Sequence, residues 1–300
     1  MESLFKRIPR GSFLWVVLLV LVTLMWGNSF IAIKHIIEYV SPLELVTLRF
    51  VPVALTFILI LLPSRGGRVR EMIREEGWRL AFLGLTGAVL YNAFLAWGET
   101  RVPAGTASLI IALNPAFIYV LSLVLLDETF HWYRAVGLGV AFGGLLIIIR
   151  WGTGQLVTIG DARYVFITML APTMWAVYTI FGKSVITRHP PLMVTGASMV
   201  FAGLFSLIFV RPALLMRIPT LPLSFWGAVL FLALPCTVFA FLVWFSALEH
   251  MPASRVAVFI YLVPMFSVSF SHWILGEPIT PALLLGAAVL IVGVWLVNHG

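Results

Sequence analysis

Residues 25–34 read MWGNSFIAIK, and residues 174–183 read MWAVYTIFGK. Met25 and Trp26 match Met174 and Trp175, Lys34 matches Lys183, and the offset of 149 positions holds well beyond these segments. Pro42 falls on Pro191, Pro103 with Ala104 on Pro252 with Ala253, Pro115 on Pro264, and Phe117 on Phe266. Further on, Glu128 meets Glu277, Gly137 meets Gly286 and Gly144 meets Gly293. Leucine matches are expected in an apolar chain, but coincident Trp, Lys, Pro and Glu at one fixed offset mark an internal duplication.

The duplicated unit belongs in hydrocarbon. Of 300 residues 61% are hydrophobic and only 10% charged, with a mean hydropathy of +1.07, which excludes an ordinary soluble domain. A net charge of +7 would suggest nucleic acid in a soluble protein, but basic cytoplasmic loops account for it in a membrane protein, so nucleic acid is excluded as a partner. Cys236 is the lone cysteine; it forms no internal disulfide, holds no structural zinc alone and reads as a small apolar filler.

Apolar runs of about 20 residues, the length that crosses a bilayer as a helix, occur roughly ten times: over 13–33, 43–62, 78–98, 103–126, 132–149, 164–186, 191–210, 224–248, 252–275 and 281–297. The basic opening precedes a run too long for a signal peptide and without a small-residue cleavage site, so it reads as a retained first helix. Lys6, Arg7 and Arg10 lie before that helix, and Arg65, Arg68, Arg70, Arg74 and Arg79 crowd the expected loop before helix three. Positive charge inside places both termini in the cytoplasm of a bacterial or archaeal cytoplasmic membrane.

The expected architecture is therefore an all-α polytopic membrane protein. It comprises a cytoplasmic segment 1–12, a five-helix repeat 13–150, a connecting loop 151–161 and a second five-helix repeat 162–298. An odd number of crossings per repeat inverts the second copy relative to the first. Inverted repeats let a fold exchange inward and outward states around a central cavity near the midplane.

The stretch WGNSFIAIKHIIEYVSPLELVTLRF (26–50), the later MWAVYTIFGK, and the pair NPAFIYVLSLVLLDE (114–128) and VPMFSVSFSHWILGEP (263–278) resemble the drug/metabolite transporter superfamily, specifically its EamA-type members. The resemblance spans both repeats. It implies ten helices, with one to four and six to nine around a central cavity and five and ten peripheral. It also implies small metabolites as substrates, often amino acids and their derivatives, with export as the direction.

Candidate substrate contacts come from aromatic and amide groups at membrane depth. Trp26 with Ser29, and Trp175 with Tyr178, lie three residues apart on equivalent helix faces. Tyr91 and Asn92, Thr106 and Asn114, Thr237 and Trp244, and Tyr261 add polar or amphipathic groups in helices three, four, eight and nine. Together they suit a small, partly apolar solute with polar ends. Pro115 and Pro264 are expected mid-helix as hinges, freeing the carbonyls of Ile111 and Ile260.

Among the charges, Lys34 and Lys183 read as snorkelling groups at helix ends. Arg49 lies deeper, where a charge costs about 2.5 to 3.5 kcal/mol. It is expected to pair with Glu38, Glu44 or Glu99, and also to attract anionic substrates. Glu128 and Glu277 precede helices five and ten and are expected to cap amides there. No acid sits mid-helix, which leaves Glu99, Glu249 and His272 as candidate couplers. No nucleotide, zinc-hydrolase or serine-hydrolase motif is present, so neither an enzyme, a cofactor nor a bound metal is expected. The expected partners are a small-molecule substrate, the bilayer and a second copy as a homodimer. The alternatives are a carrier for phosphorylated or nucleotide-linked sugars, which needs Lys34, Arg49 or Lys183 in the cavity, and a nontransporting scaffold or enzyme subunit with a sealed bundle.

Overall fold

The computed structural model describes residues 13–125, 130–152, 159–250, 256 and 259–299, and helix is the only regular structure among them. Eight helices are long and apolar enough to cross a membrane: α1 Phe13–Ile36, α2 Pro42–Leu61, α3 Gly67–Glu99, α4 Ala104–Leu125, α5 Trp132–Gly152, α6 Ala162–Ile186, α7 Pro191–Phe209 and α8 Leu223–Trp244. Two shorter apolar helices follow, α9 Phe259–Leu275 and α10 Pro281–Val297. Large side chains on their outer faces, among them Leu59, Val124, Trp273 and Leu285, are exposed, as a lipid-facing surface requires.

Local chemistry sets several boundaries. Ser41 and Glu44 form a capping box at the start of α2, with Pro42 in the first turn, where its missing N–H is no loss. At the far end of α9, Gly276 takes φ 69°. Its amide donates to His272 O, and that of Glu277 donates to Ser271 O, a left-handed stop that glycine adopts without a Cβ penalty.

One expected boundary is corrected. The Arg-rich stretch before helix three is not a loop, because helix runs from Pro42 through Leu83 with Pro63 inside it. A straight helix would hold Leu61 and Gly84 about 35 Å apart. Both nevertheless pack on the same turns of α7: a Cβ on Gly196 would stand 2.6 Å from Leu61 Cδ1, and one on Gly84 would strike the Ser198 carbonyl. The chain therefore doubles back between them, and Pro63 supplies a break in the amide ladder.

Packing between the halves is reciprocal. α1 packs on α9 and α6 on α4; α8 packs on α1 and α3 on α6; α5 pairs with α10, and α2 with α7. Exchanging the first five helices for the last five turns each pairing into another of the set or into itself. The α5 and α10 pair is held through glycines. A Cβ on Gly137 would lie 2.8 Å from Gly293 O, and one on Gly286 would lie 2.9 Å from Gly144 O. As residue numbers rise on α5 they fall on α10, so the two helices run antiparallel with their backbones in contact. Ala54 and Gly203, related by the repeat offset, also touch where α2 crosses α7.

Candidate functional site

The helices around the centre are irregular at matching places. α3 is π-helical over Gly84–Leu90 and α8 over Leu234–Phe239, segments that coincide under the repeat offset. A π segment inserts a residue into the turn and re-aims the side chains that follow. Pro115 and Pro264 are not interior kinks, contrary to expectation. α4 breaks between Ala104–Ile111 and Asn114–Leu125, so Pro115 begins the second piece. Pro264 stands in the first turn of Leu262–Leu275, after a 3-10 turn over Phe259–Tyr261. Proline costs nothing at a helix start, and discontinuous helices place free backbone groups inside the bundle.

Arg49 joins the turn that follows the first π segment to the second π segment. Its Nη1 donates to Asn92 Oδ1 at 2.8 Å, while Nε and Nη2 donate to Thr237 Oγ1 at 3.3 and 3.1 Å. Both acceptors are themselves anchored, Asn92 Nδ2 donating to Ala88 O and Thr237 Oγ1 to Leu232 O, each at 2.8 Å. The expected carboxylate partner is absent among the described residues. Glu44 instead accepts from Arg217 Nη2 at 3.2 Å and from Ser41, and Glu38 lies 3.8 Å from His35. Sequence spacing singled out Asn92 and Thr237 as separate contacts; it carried no signal that one guanidinium would bind both.

Aromatic pairs stand on either side of this network. The Trp26 ring lies 5.1 Å from Trp244, and its Nε1 donates to Cys236 O at 2.9 Å, one residue from Thr237. Tyr91, one residue from Asn92, lies 5.6 Å from Trp175, which in turn lies 5.2 Å from Tyr178. Trp26, Tyr91, Trp175 and Trp244 are all half-buried although they sit well inside their helices. Cys236, read as a filler, gives this arrangement its acceptor carbonyl.

The remaining candidates are placed differently. Ser29 donates back to Trp26 O at 2.6 Å, so its hydroxyl proton serves its own helix. Thr106 lines a small cavity of about 20 Å³ with Gly105, Gly152, Ser271, Glu277 and Leu283, apart from the aromatic pairs. Asn114 Oδ1 is buried without a hydrogen-bond partner, which is costly unless a ligand or water reaches it. Tyr261 is half-buried where α9 begins.

Charged groups close the turn between α3 and α4. Lys34 does not snorkel: its Nζ donates to Glu99 O at 2.6 Å and Val102 O at 2.9 Å. Glu277 does not cap its own helix either, but accepts from the amides of Ala104 and Gly105 at 2.7 and 3.0 Å. A cation on a carboxyl end and an anion on an amino end both complement the helix dipoles. The Glu99 carboxyl is fully buried beside them, neither oxygen having a hydrogen bond. Lys183, the repeat equivalent of Lys34, is exposed. Glu128 and the Glu249 side chain lie outside the described residues.

Known proteins resemble this chain over nearly its whole length. A relative from Archaeoglobus fulgidus named an uncharacterized transporter is 30% identical, the match covering 94% of this chain and 98% of that protein. A probable terminal-alkyne amino-acid exporter from Streptantibioticus cattleyicolor is 31% identical over 95% of this chain and 93% of its own length. A crystal structure with a TM-score of 0.63 and 18% identity shares the fold over 95% of this chain and 96% of that one. The pattern of the EamA-like transporter family matches residues 13–150 and again 162–299. With both halves matched over almost their whole length, this integral membrane chain belongs to the EamA-like transporter family.

Proposed function

We propose that the chain exports small amino-acid-like metabolites across a bacterial or archaeal cytoplasmic membrane by alternating access between two inverted five-helix halves. The observation that carries the reading is the pair of aromatic walls. Each pair joins the two halves, Trp26 of the first with Trp244 of the second and Tyr91 of the first with Trp175 of the second, and the π segments at equivalent places in the repeats lie beside them. A solute between them would touch both halves, and a rocking of one half against the other would move its exit from one membrane face to the other. The exchange pattern of helix pairings and the antiparallel α5 and α10 support ten crossings with the second repeat inverted. The exporter direction draws on the relative from Streptantibioticus cattleyicolor.

Two measurements test the proposal. Reconstituted protein in proteoliposomes should move members of a labelled amino-acid panel against an empty-vesicle control, and no flux for any member would remove the transport reading. In a Cys236→Ala background, cysteines at Gly66 and Trp151 should label from opposite faces, the first from the cytoplasm. Labelling from one face would remove the inverted arrangement.

A further inference from the structure

We propose that Arg49 is the anchor for a carboxylate on the transported solute; this rests on the reading of the chain as a carrier of small amino-acid-like metabolites. A guanidinium has five N–H donors, and the structure engages three: one on Nε, one on Nη1 and one on Nη2. Each terminal nitrogen therefore keeps one N–H without a partner. Two such donors on one planar group match the two oxygens of a carboxylate.

The surroundings make this a prepared position rather than a structural ion pair. Arg49 is the eighth residue of α2, about 10 Å along the helix from its cap, and no acid among the described residues forms an ion pair with it. The titratable groups within electrostatic range are Tyr91 and Cys236. A positive charge at this depth, held by neutral oxygens and with its guanidinium carbon 5.5 Å from the centre of the Phe50 ring, lacks the counterion that would offset its desolvation. The side chain is nonetheless half-buried rather than sealed. Its acceptors Asn92 and Thr237 are locked by their own bonds to Ala88 O and Leu232 O, which fixes the fork before any ligand arrives.

The same frame orients the rest of the solute. Asn92 adjoins Tyr91 and Thr237 adjoins Cys236, whose carbonyl holds the Trp26 indole. A carboxylate on Arg49 thus directs an attached apolar group toward the aromatic pairs on either side. Of the three cations considered for the cavity, Arg49 alone keeps spare donors inside the bundle: Lys34 is bound to two carbonyls and Lys183 is exposed. One guanidinium favours a monoanionic carboxylate over a phosphate dianion, which separates this solute class from phosphorylated sugars.

The test uses full-length protein in nanodiscs and three matched probes: phenylalanine, phenylalaninamide and phenethylamine. Wild type should bind the acid at least tenfold more tightly than the amide or the amine, and benzoate should raise its Tm more than inorganic phosphate does. Arg49→Gln should reduce the preference for the acid to less than twofold and abolish the benzoate shift. Arg49→Lys, which keeps the charge and loses the fork, should weaken acid binding several-fold and serves where Arg49→Gln does not fold. No preference for the acid in wild type, a larger Tm shift with phosphate, or a preserved preference in Arg49→Gln would each overturn the assignment. Flux separates this failure from that of the parent reading: equal flux of acid and amide removes the role of Arg49 and leaves a transporter, whereas no flux across the amino-acid panel removes transport itself.

Discussion

The carboxylate of Glu277 caps the backbone amide of Ala104 at 2.7 Å although the two residues are 173 positions apart. Its second oxygen takes the Gly105 amide at 3.0 Å, while Lys34 holds the carbonyls of Glu99 and Val102 on the other side of the same turn. The α3 to α4 connection is thereby fastened to α1 and to the segment before α10.

Loss of this cap should be visible in stability. Hydrogen bonds to a charged group contribute about 1.5–3 kcal/mol each, so Glu277→Ala should destabilise by about 3 kcal/mol, and Glu277→Gln, which keeps one acceptor, by less. Thermal unfolding in detergent followed by tryptophan fluorescence checks the order. An unchanged Tm in Glu277→Ala would show that the cap contributes nothing to the fold.

The glycine contact of α5 with α10 should tolerate no added bulk. A Cβ on Gly144 would lie 2.7 Å from Gly286 O and strike the Leu290 amide, and both obstacles are backbone. Gly144→Leu should force the helices apart and cost more than the about 1–3 kcal/mol usual for overpacking, giving aggregated protein on size exclusion. Gly139→Leu is the control, because nothing lies within 4 Å of a Cβ there. Equal behaviour of the two variants would contradict the backbone contact.

The aromatic walls should show in binding rather than in folding. Trp175→Ala removes a ring 5.6 Å from Tyr91, and an aromatic contact is worth about 0.5–1.5 kcal/mol beyond area burial; phenylalanine affinity should therefore fall several-fold. Trp175→Phe should retain most of it. Trp26→Phe keeps a ring but loses the indole bond to Cys236 O, so its stability should fall by about 1 kcal/mol and its Tm with it. Calorimetric titration beside melting curves checks both effects, and wild-type affinity in folded Trp175→Ala would place the solute elsewhere.

Glu99 should accept an amide without loss of fold. Both carboxyl oxygens are buried without a hydrogen bond, and Lys34 holds the main-chain oxygen of this residue. Glu99→Gln should leave the Tm unchanged or raise it, because no bond is broken and no charge needs desolvation. A large drop in Tm would show that the attraction between the carboxylate and the neighbouring Lys34 ammonium holds the turn.

The sequence by itself determined the membrane class, most helix ends and the duplication, and it named Trp26, Tyr91, Asn92, Trp175, Thr237 and Trp244 as polar or aromatic groups inside apolar helices. These are legible because hydropathy is a property of a local run and the repeat is a comparison of the chain with itself. Where several residues had to meet, spacing was silent. Arg49 was expected to find an acid and found Asn92, 43 positions away, and Thr237, 188 positions away. Glu277 was expected to cap the helix that follows it and capped α4 instead. Helix through the Arg-rich segment, the matched π segments and the breaks before Pro115 and Pro264 were equally hidden. Each depends on which hydrogen-bond partner lies within about 3 Å after packing, and in a bilayer buried backbone and side-chain polar groups draw such partners from wherever the fold supplies them. Only the tertiary structure brings those partners together.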